Sequence, residues 1–208
     1  MANSEILRET NSLARLISEL SKLPGLGERS AERLSFHILK LSDKNRQDLI
    51  DSILSINDIK LCAKCFNFVG NNSNDLCDIC SDESRDTSII CVVEQIEDLW
   101  RIEKTAIYKG LYHVLHGVIC PLDGKGPEDI KIEQLILRIK ENKPKEIILS
   151  TNPTIEGDNT ALYIQKELKS FQIKITRLGR GIPAGSNIEY LNKAILSDAL
   201  RERKEQVY

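Results

Sequence analysis

The chain has 208 residues, 41% of them apolar, and a net charge of −2. That content is ample for a buried core and excludes a disordered chain, while the near-neutral charge excludes a protein held to nucleic acid by its overall field, so any such contact must come from local patches. The N-terminal Met1-Ala-Asn-Ser-Glu5 stretch has no apolar h-region and no later segment reaches the length of a membrane span, so a cytoplasmic protein without membrane contact is expected.

In chain order, the first region is helical. Leu13, Leu16, Ile17 and Leu20 recur at three and four, as do Ala31, Leu34, Ile38 and Leu41, and then Leu49, Ile50, Ile53 and Leu54. Between the first two helices lies Leu23-Pro-Gly-Leu-Gly27, in which Pro24 ends one helix and Gly25 and Gly27 permit a tight turn into the next, expected to start near Arg29-Ser30. Such a turn directs free backbone N–H groups and the positive end of a helix outward, a favourable place for phosphate. Arg29 and Arg33 fall four apart near the start of that helix; alone, the turn reads equally as a plain connection with a solvated basic face. His37 on the same helix reads as a core or boundary residue.

Next come Cys62-Ala-Lys-Cys65 and, after eleven intervening residues, Cys77-Asp-Ile-Cys80. Each Cys-x-x-Cys turn converges two thiolates on one ion, and four soft ligands in a tetrahedron suit a structural Zn2+ with no open position for catalysis. Asn71, Asn72, Ser73 and Asn74 supply a turn-prone tip for the short hairpin between the pairs. The competing reading, two disulfides, needs an oxidising compartment. Cys91, inside a β-rich run, reads as a buried thiol; neither it nor Cys120 is assigned a catalytic role.

From residue 88 short β-rich runs alternate with helical stretches: strands over 88–93, 111–115, 146–150 and 173–176, helices over 95–104, 130–141 and 159–169. The alternation predicts a parallel sheet flanked by helices, whose ligands sit beyond the carboxyl ends of the strands. Glu94 directly follows the first strand, and Glu156 and Asp158 fall in the loop after the strand ending at Ser150. Brought together, these carboxylates would hold Mg2+; the alternative for the latter two is a helix N-terminus favoured by the dipole. His113 and His116 are expected at a strand end, available for proton transfer or plain edge packing. No tyrosine among Tyr108, Tyr112, Tyr163, Tyr190 and Tyr208 stands out as a nucleophile. Residues 174 to 208 hold seven basic against four acidic side chains, with Leu191, Ala194, Ile195, Asp198 and Ala199 at helical spacing.

The run Leu23-Pro-Gly-Leu-Gly-Glu-Arg-Ser-Ala-Glu-Arg-Leu34 resembles the helix-hairpin-helix motif, which contacts DNA backbone without reading sequence. That run, the four cysteines, Cys91-Val-Val-Glu94, Gly110-Leu-Tyr-His-Val-Leu-His-Gly117, Thr151-Asn-Pro-Thr-Ile-Glu-Gly157 and Thr176-Arg-Leu-Gly-Arg-Gly-Ile-Pro183, in this order over almost the whole chain, are similar to the bacterial RecR family of recombination mediators. The resemblance implies a helix-hairpin-helix domain over 1–61, a four-cysteine zinc finger over 62–87, a Toprim α/β domain over 88–176 and an oligomerisation segment over 177–208. It also implies a homotetrameric ring around DNA, with Gly25, Gly27, Arg29 and Arg33 on the phosphates and Glu94 and Glu156 facing the partner RecO, RecF being a second partner. No bond is made or broken on this reading; RecA is helped onto strand coated by single-strand binding protein. Catalytic Toprim domains carry an Asp-x-Asp where this chain has Asn152-Pro-Thr, which separates it from them. A Mg2+-dependent nuclease or primase-like enzyme built on Glu94, Glu156 and Asp158 is the alternative.

Overall fold

The computed structural model describes residues 2–70, 75–203 and 205, with side chains from residue 12 onward. The expected turn at Asn71, Asn72, Ser73 and Asn74, and Lys204 and Tyr208 of the tail, lie outside the described residues. The chain divides into two compact units, residues 1–59 and 60–208.

The first unit is helical: α1 (Ala2–Ser21), α2 (Glu28–Lys40) and α3 (Asp43–Leu54). Ser42 caps α3 by accepting a hydrogen bond from Asn45 N. α1 packs on α2, where Ala31 and Ser35 are buried, but α3 buries none of its residues. Leu39, Ile53 and Ile56 remain 59%, 58% and 60% exposed, so the apolar stripes read in the sequence are real but largely uncovered.

The second unit begins with a small antiparallel hairpin, β1 (Lys60–Leu61) and β2 (Phe68–Val69), and a single turn of helix, α4 (Asp78–Ser81). There follow β3 (Asp86–Val93), α5 (Ile96–Glu103), β4 (Gly110–Val114), α6 (Ile132–Asn142), β5 (Glu146–Ser150), α7 (Ile155–Glu167), β6 (Lys174–Arg177) and α8 (Lys193–Arg201). The four longer strands make one parallel sheet in the order β4-β3-β5-β6. Because successive strand residues face opposite sides, Ile90 and Val92 join one core with Leu135 and Ile139 of α6 and Ala161 and Ile164 of α7, while Cys91 and Val93 join another with Ile96 and Leu99 of α5. Burial on both faces explains the unbroken apolar run Ile89-Ile-Cys-Val-Val93, and each fully buried aliphatic side chain contributes roughly 1.5–3 kcal/mol.

Edge strand β4 does not present an open ladder. Val114 N donates to Cys65 O (2.9 Å), Arg138 Nη1 to Tyr112 O (2.6 Å) and Arg85 Nη1 to Gly110 O (3.3 Å), so the edge is blunted against pairing with another strand. Arg85 is itself held by Glu103.

Two expectations are corrected. α7 starts at Ile155, not 159, because Thr154 accepts from Gly157 N (3.1 Å) and caps it; Glu156 and Asp158 therefore sit in its first turn and not in a loop. His113 lies inside β4 and is wholly buried, leaving only His116 beyond the strand end.

Candidate metal centre and sheet-edge cluster

The hairpin and the α4 turn bring Cys62, Cys65, Cys77 and Cys80 together, with their sulfurs all within 4.8 Å of one another. Cys62, Cys65 and Cys77 are buried and Cys80 is half-buried; none of the six cysteines is disulfide-bonded. Cys65 Sγ and Cys77 Sγ are 3.4 Å apart, and Cys77 N donates to Cys62 Sγ at 3.4 Å. A tetrahedral ion with metal–sulfur bonds of about 2.3 Å separates its ligands by about 3.8 Å, so the four side chains fit such an ion and form a metal-binding cluster. Hydrogen bonds from Cys65, then Cys77 and Cys80, push the Cys62 thiol far down, while the same sharing with Cys62 pushes Cys65 and Cys80 up.

The cluster is seated on the sheet. Phe66, at φ 62° in the left-handed region, follows Cys65, whose carbonyl accepts from Val114 N. His116 Nε2 donates to Phe66 O (2.8 Å), and the Phe66 ring meets the His113 ring edge-on with centroids 5.3 Å apart. Burial lowers the His113 imidazole to about 3, and its Nε2 donates to Lys131 O (2.8 Å). It therefore stays neutral and packed, out of reach of any proton-transfer chemistry.

At the carboxyl end of the sheet, parallel pairing of Val93 with Ser150 sets the residues after β3 beside those after β5. Glu94, 7% exposed, accepts from Asn152 N (2.7 Å) and from Asn152 Nδ2 (2.7 Å), so both carboxylate oxygens are occupied. Gly157 makes the approach possible, since a Cβ there would lie 2.2 Å from Asn152 O and 2.7 Å from Glu94 Oε1. Asp158 is held by Arg180 and by Arg177 (2.9 Å), and Arg180 also reaches Asp198 on α8 (3.9 Å), tying the tail to the start of α7. The Arg180 guanidinium, more than burial, sets the balance and keeps the Asp158 carboxyl below its ordinary value. Glu156 is half-buried and has no ionic partner among the described residues. The three carboxylates expected to converge therefore do not: among the described residues the four cysteines are the one group of His, Cys, Asp and Glu side chains placed to share an ion.

In the first unit, Gly25 adopts φ +82°, a conformation that L side chains rarely take, whereas Gly27 is an extended cap residue, so only Gly25 is required by backbone geometry. α2 starts at Glu28, slightly before the expected Arg29-Ser30. No side chain caps its N-terminus, and a Cβ at Gly25 or Gly27 would meet nothing within 4 Å. Arg29 and Arg33 are exposed on its first turns.

Sequence reasoning did not find Asn152 as the holder of Glu94, nor the Arg177–Asp158–Arg180 link. The only sequence signal for the first was an amide standing where a metal-binding relative would have a carboxylate. Cys91 behaves as expected: burial pushes its thiol up to about 11, and it lies 3.0 Å from Ser150 Oγ.

A parallel sheet carrying one glutamate at its carboxyl edge, joined to a four-cysteine cluster and preceded by a helical hairpin unit, defines a Toprim-containing hairpin protein. Family models agree, one described as Toprim domain over residues 88–179 and one as RecR, helix-hairpin-helix, over 13–56. The chain is 45% identical over 194 residues to the recombination protein RecR of Anaeromyxobacter sp. (strain Fw109-5), covering 93% of this chain and 96% of that one. Its identity to the protein of the same name is 45% in Anaeromyxobacter dehalogenans (strain 2CP-C) and 44% in Rhodopirellula baltica, with the same coverage. The chain belongs to the RecR family of recombination proteins. No helix among the described residues is long and apolar enough to cross a membrane.

Proposed function

We propose that this chain is a non-enzymatic mediator of DNA repair and recombination that binds DNA through its hairpin and, with RecO and in some settings RecF, promotes RecA loading on gapped or single strand coated by single-strand binding protein. The observation that carries the reading is the uncapped start of α2, with left-handed Gly25 before it, open space at Gly25 and Gly27, and exposed Arg29 and Arg33 beside it. Free N–H groups, the helix dipole and two guanidinium groups suit a phosphate and carry no base information. The four-cysteine cluster takes one structural Zn2+, which closed S4 coordination favours. The uncovered apolar faces of α2 and α3 suit burial against further copies, in keeping with a homotetrameric ring in which several weak phosphate contacts act by avidity.

The occupied Glu94 supports a non-catalytic sheet edge, since Asn152 supplies donors where a metal clamp needs a second carboxylate. Of the two acidic positions proposed to face RecO, Glu156 offers the unpaired carboxylate, while Glu94 holds the turn that presents it.

The test is the rate of RecA filament formation on gapped DNA precoated with single-strand binding protein, with cognate RecO present and this protein added or omitted. A RecO-dependent acceleration that is lost in Arg29→Glu/Arg33→Glu, with the fold retained, is expected. No acceleration despite DNA and RecO binding overturns the mediator role, and unchanged DNA binding in the double variant overturns the hairpin assignment.

A further inference from the structure

The hairpin that carries the first cysteine pair also presents an aromatic surface that neither the metal cluster nor the sheet edge uses. Phe68 of β2 lies opposite Leu61 of β1. Its ring meets the indole of Trp100 on α5 edge to face, with centroids 6.3 Å apart and planes inclined at 64°. Leu61, Phe68 and Trp100 are 43%, 44% and 48% exposed, so large apolar side chains stand half in water on adjoining elements of the same unit. Their neighbour Phe66 differs in kind: its ring packs on His113 with Lys131 Nζ 5.6 Å away and belongs to the seating of the metal cluster.

Taken together, the two segments carrying the rings hold more unpaired cations than unpaired acids. Residues 60–69 contain Lys60 and Lys64 and no acid. On 96–104, Glu103 is paired with Arg85 and accepts from the Tyr112 hydroxyl (2.9 Å), whereas Asp98 accepts only from the neutral Gln95 N (3.1 Å) and keeps its charge. Glu97 and Asp98 are the remaining acids there, against four cations, Lys60, Lys64, Arg101 and Lys104, that have no ion pair among the described residues. Half-exposed rings on segments with an excess of unpaired cations match the chemistry of a single strand, whose unpaired bases offer π faces and whose phosphates need neutralising. Duplex DNA keeps its bases stacked inside and offers the rings nothing.

We infer that Phe68 and Trp100 form a stacking platform for the unpaired bases of single-stranded nucleic acid, with Lys60, Lys64, Arg101 and Lys104 meeting its backbone. The platform is a second contact, on a different unit from the hairpin at Gly25 and Gly27, and does not depend on the hairpin reading.

Trp100 is the chain's single tryptophan, so its emission reports the platform directly. The metal-loaded full-length protein is titrated with an oligo-dT of about 20 nucleotides, long enough for several stacked bases, and with a duplex of equal length. The expected result is saturable quenching by oligo-dT with little change on duplex addition. Phe68→Ala and Trp100→Leu should each weaken oligo-dT binding about tenfold by anisotropy of labelled DNA, and Trp100→Phe should restore most of it. Phe68→Leu, which keeps the apolar contact and removes the π face, serves if Phe68→Ala loses metal or fold. Arg29→Glu/Arg33→Glu should keep the quenching even where duplex binding is gone, which separates this site from the hairpin. Emission indifferent to saturating oligo-dT, or variants within twofold of the wild type, overturns the platform. Emission that responds instead to protein concentration alone assigns the patch to a contact between copies and also overturns it.

Discussion

Asn152→Asp puts the sheet-edge reading under direct strain. Glu94 is nearly buried and accepts two 2.7 Å hydrogen bonds from Asn152, one from its backbone N–H and one from its side-chain amide. The substitution keeps the first, removes the second and sets a carboxylate oxygen where the donor stood. Losing a hydrogen bond to a charged group costs about 1.5–3 kcal/mol. Two carboxylates in contact repel, which adds a cost at neutral pH on the order of 1–2 kcal/mol. The total is about 2.5–5 kcal/mol at pH 7, against about 1.5–3 kcal/mol for Asn152→Ala, which only loses the bond. Urea unfolding followed by Trp100 emission reports this unit, and with a slope of about 2 kcal/mol per molar the midpoint of Asn152→Asp should fall by roughly 1.2–2.5 M. An Asn152→Asp midpoint matching the wild type refutes the argument that Asn152 holds Glu94 through both hydrogen bonds.

The four-cysteine cluster should bind close to one metal ion per chain; Cys77→Ser should lower metal content and unfold residues 60–69 and 77–81 first, as read by metal analysis with hydrogen exchange, and retained stability without metal would sink a structural role. His113 gives a pH signature. Its imidazole stays neutral when folded down to about 3 because it is buried, whereas the unfolded chain protonates near about 6.5. The unfolded state therefore binds the extra proton below pH 6.5, so this contribution is fully present above that value and is lost as pH falls toward 3, at no more than about 1.4 kcal/mol per pH unit. His113→Leu should flatten stability against pH across that window, and an unaltered slope in denaturant titrations would contradict it.

Much of the site was legible because its signals are local. Two Cys-x-x-Cys turns each fix a ligand pair within four residues, and Leu23-Pro-Gly-Leu-Gly27 punctuates two helical stretches wherever the rest of the chain goes. The sheet was legible for a related reason, since apolar runs such as Ile89 to Val93 alternating with helical periods have few other ways to bury both faces. The start of α7 was misplaced because Thr154, a side chain that favours turns as readily as caps, decides the matter only when it accepts from Gly157 N. The fate of His113 was equally hidden: its side of β4 is sealed by the first turn of α6 and by Phe66, from separate parts of the chain.

The sequence by itself determined the helical unit ahead of an alternating β/α region, the four cysteines that cluster and the tight turn at Gly25 between two helices. Each depends on residue type and spacing along a few neighbouring positions, where backbone geometry leaves little choice. Only the tertiary structure decided that Asn152 closes on Glu94 across 58 residues, that Gly157 admits the contact, that Asp158 is taken by Arg177 and Arg180, and that Phe68 and Trp100 meet in the open. Those pairings follow from which strands lie side by side and in what register, and register is fixed by burial of the whole sheet, a property that no local segment carries.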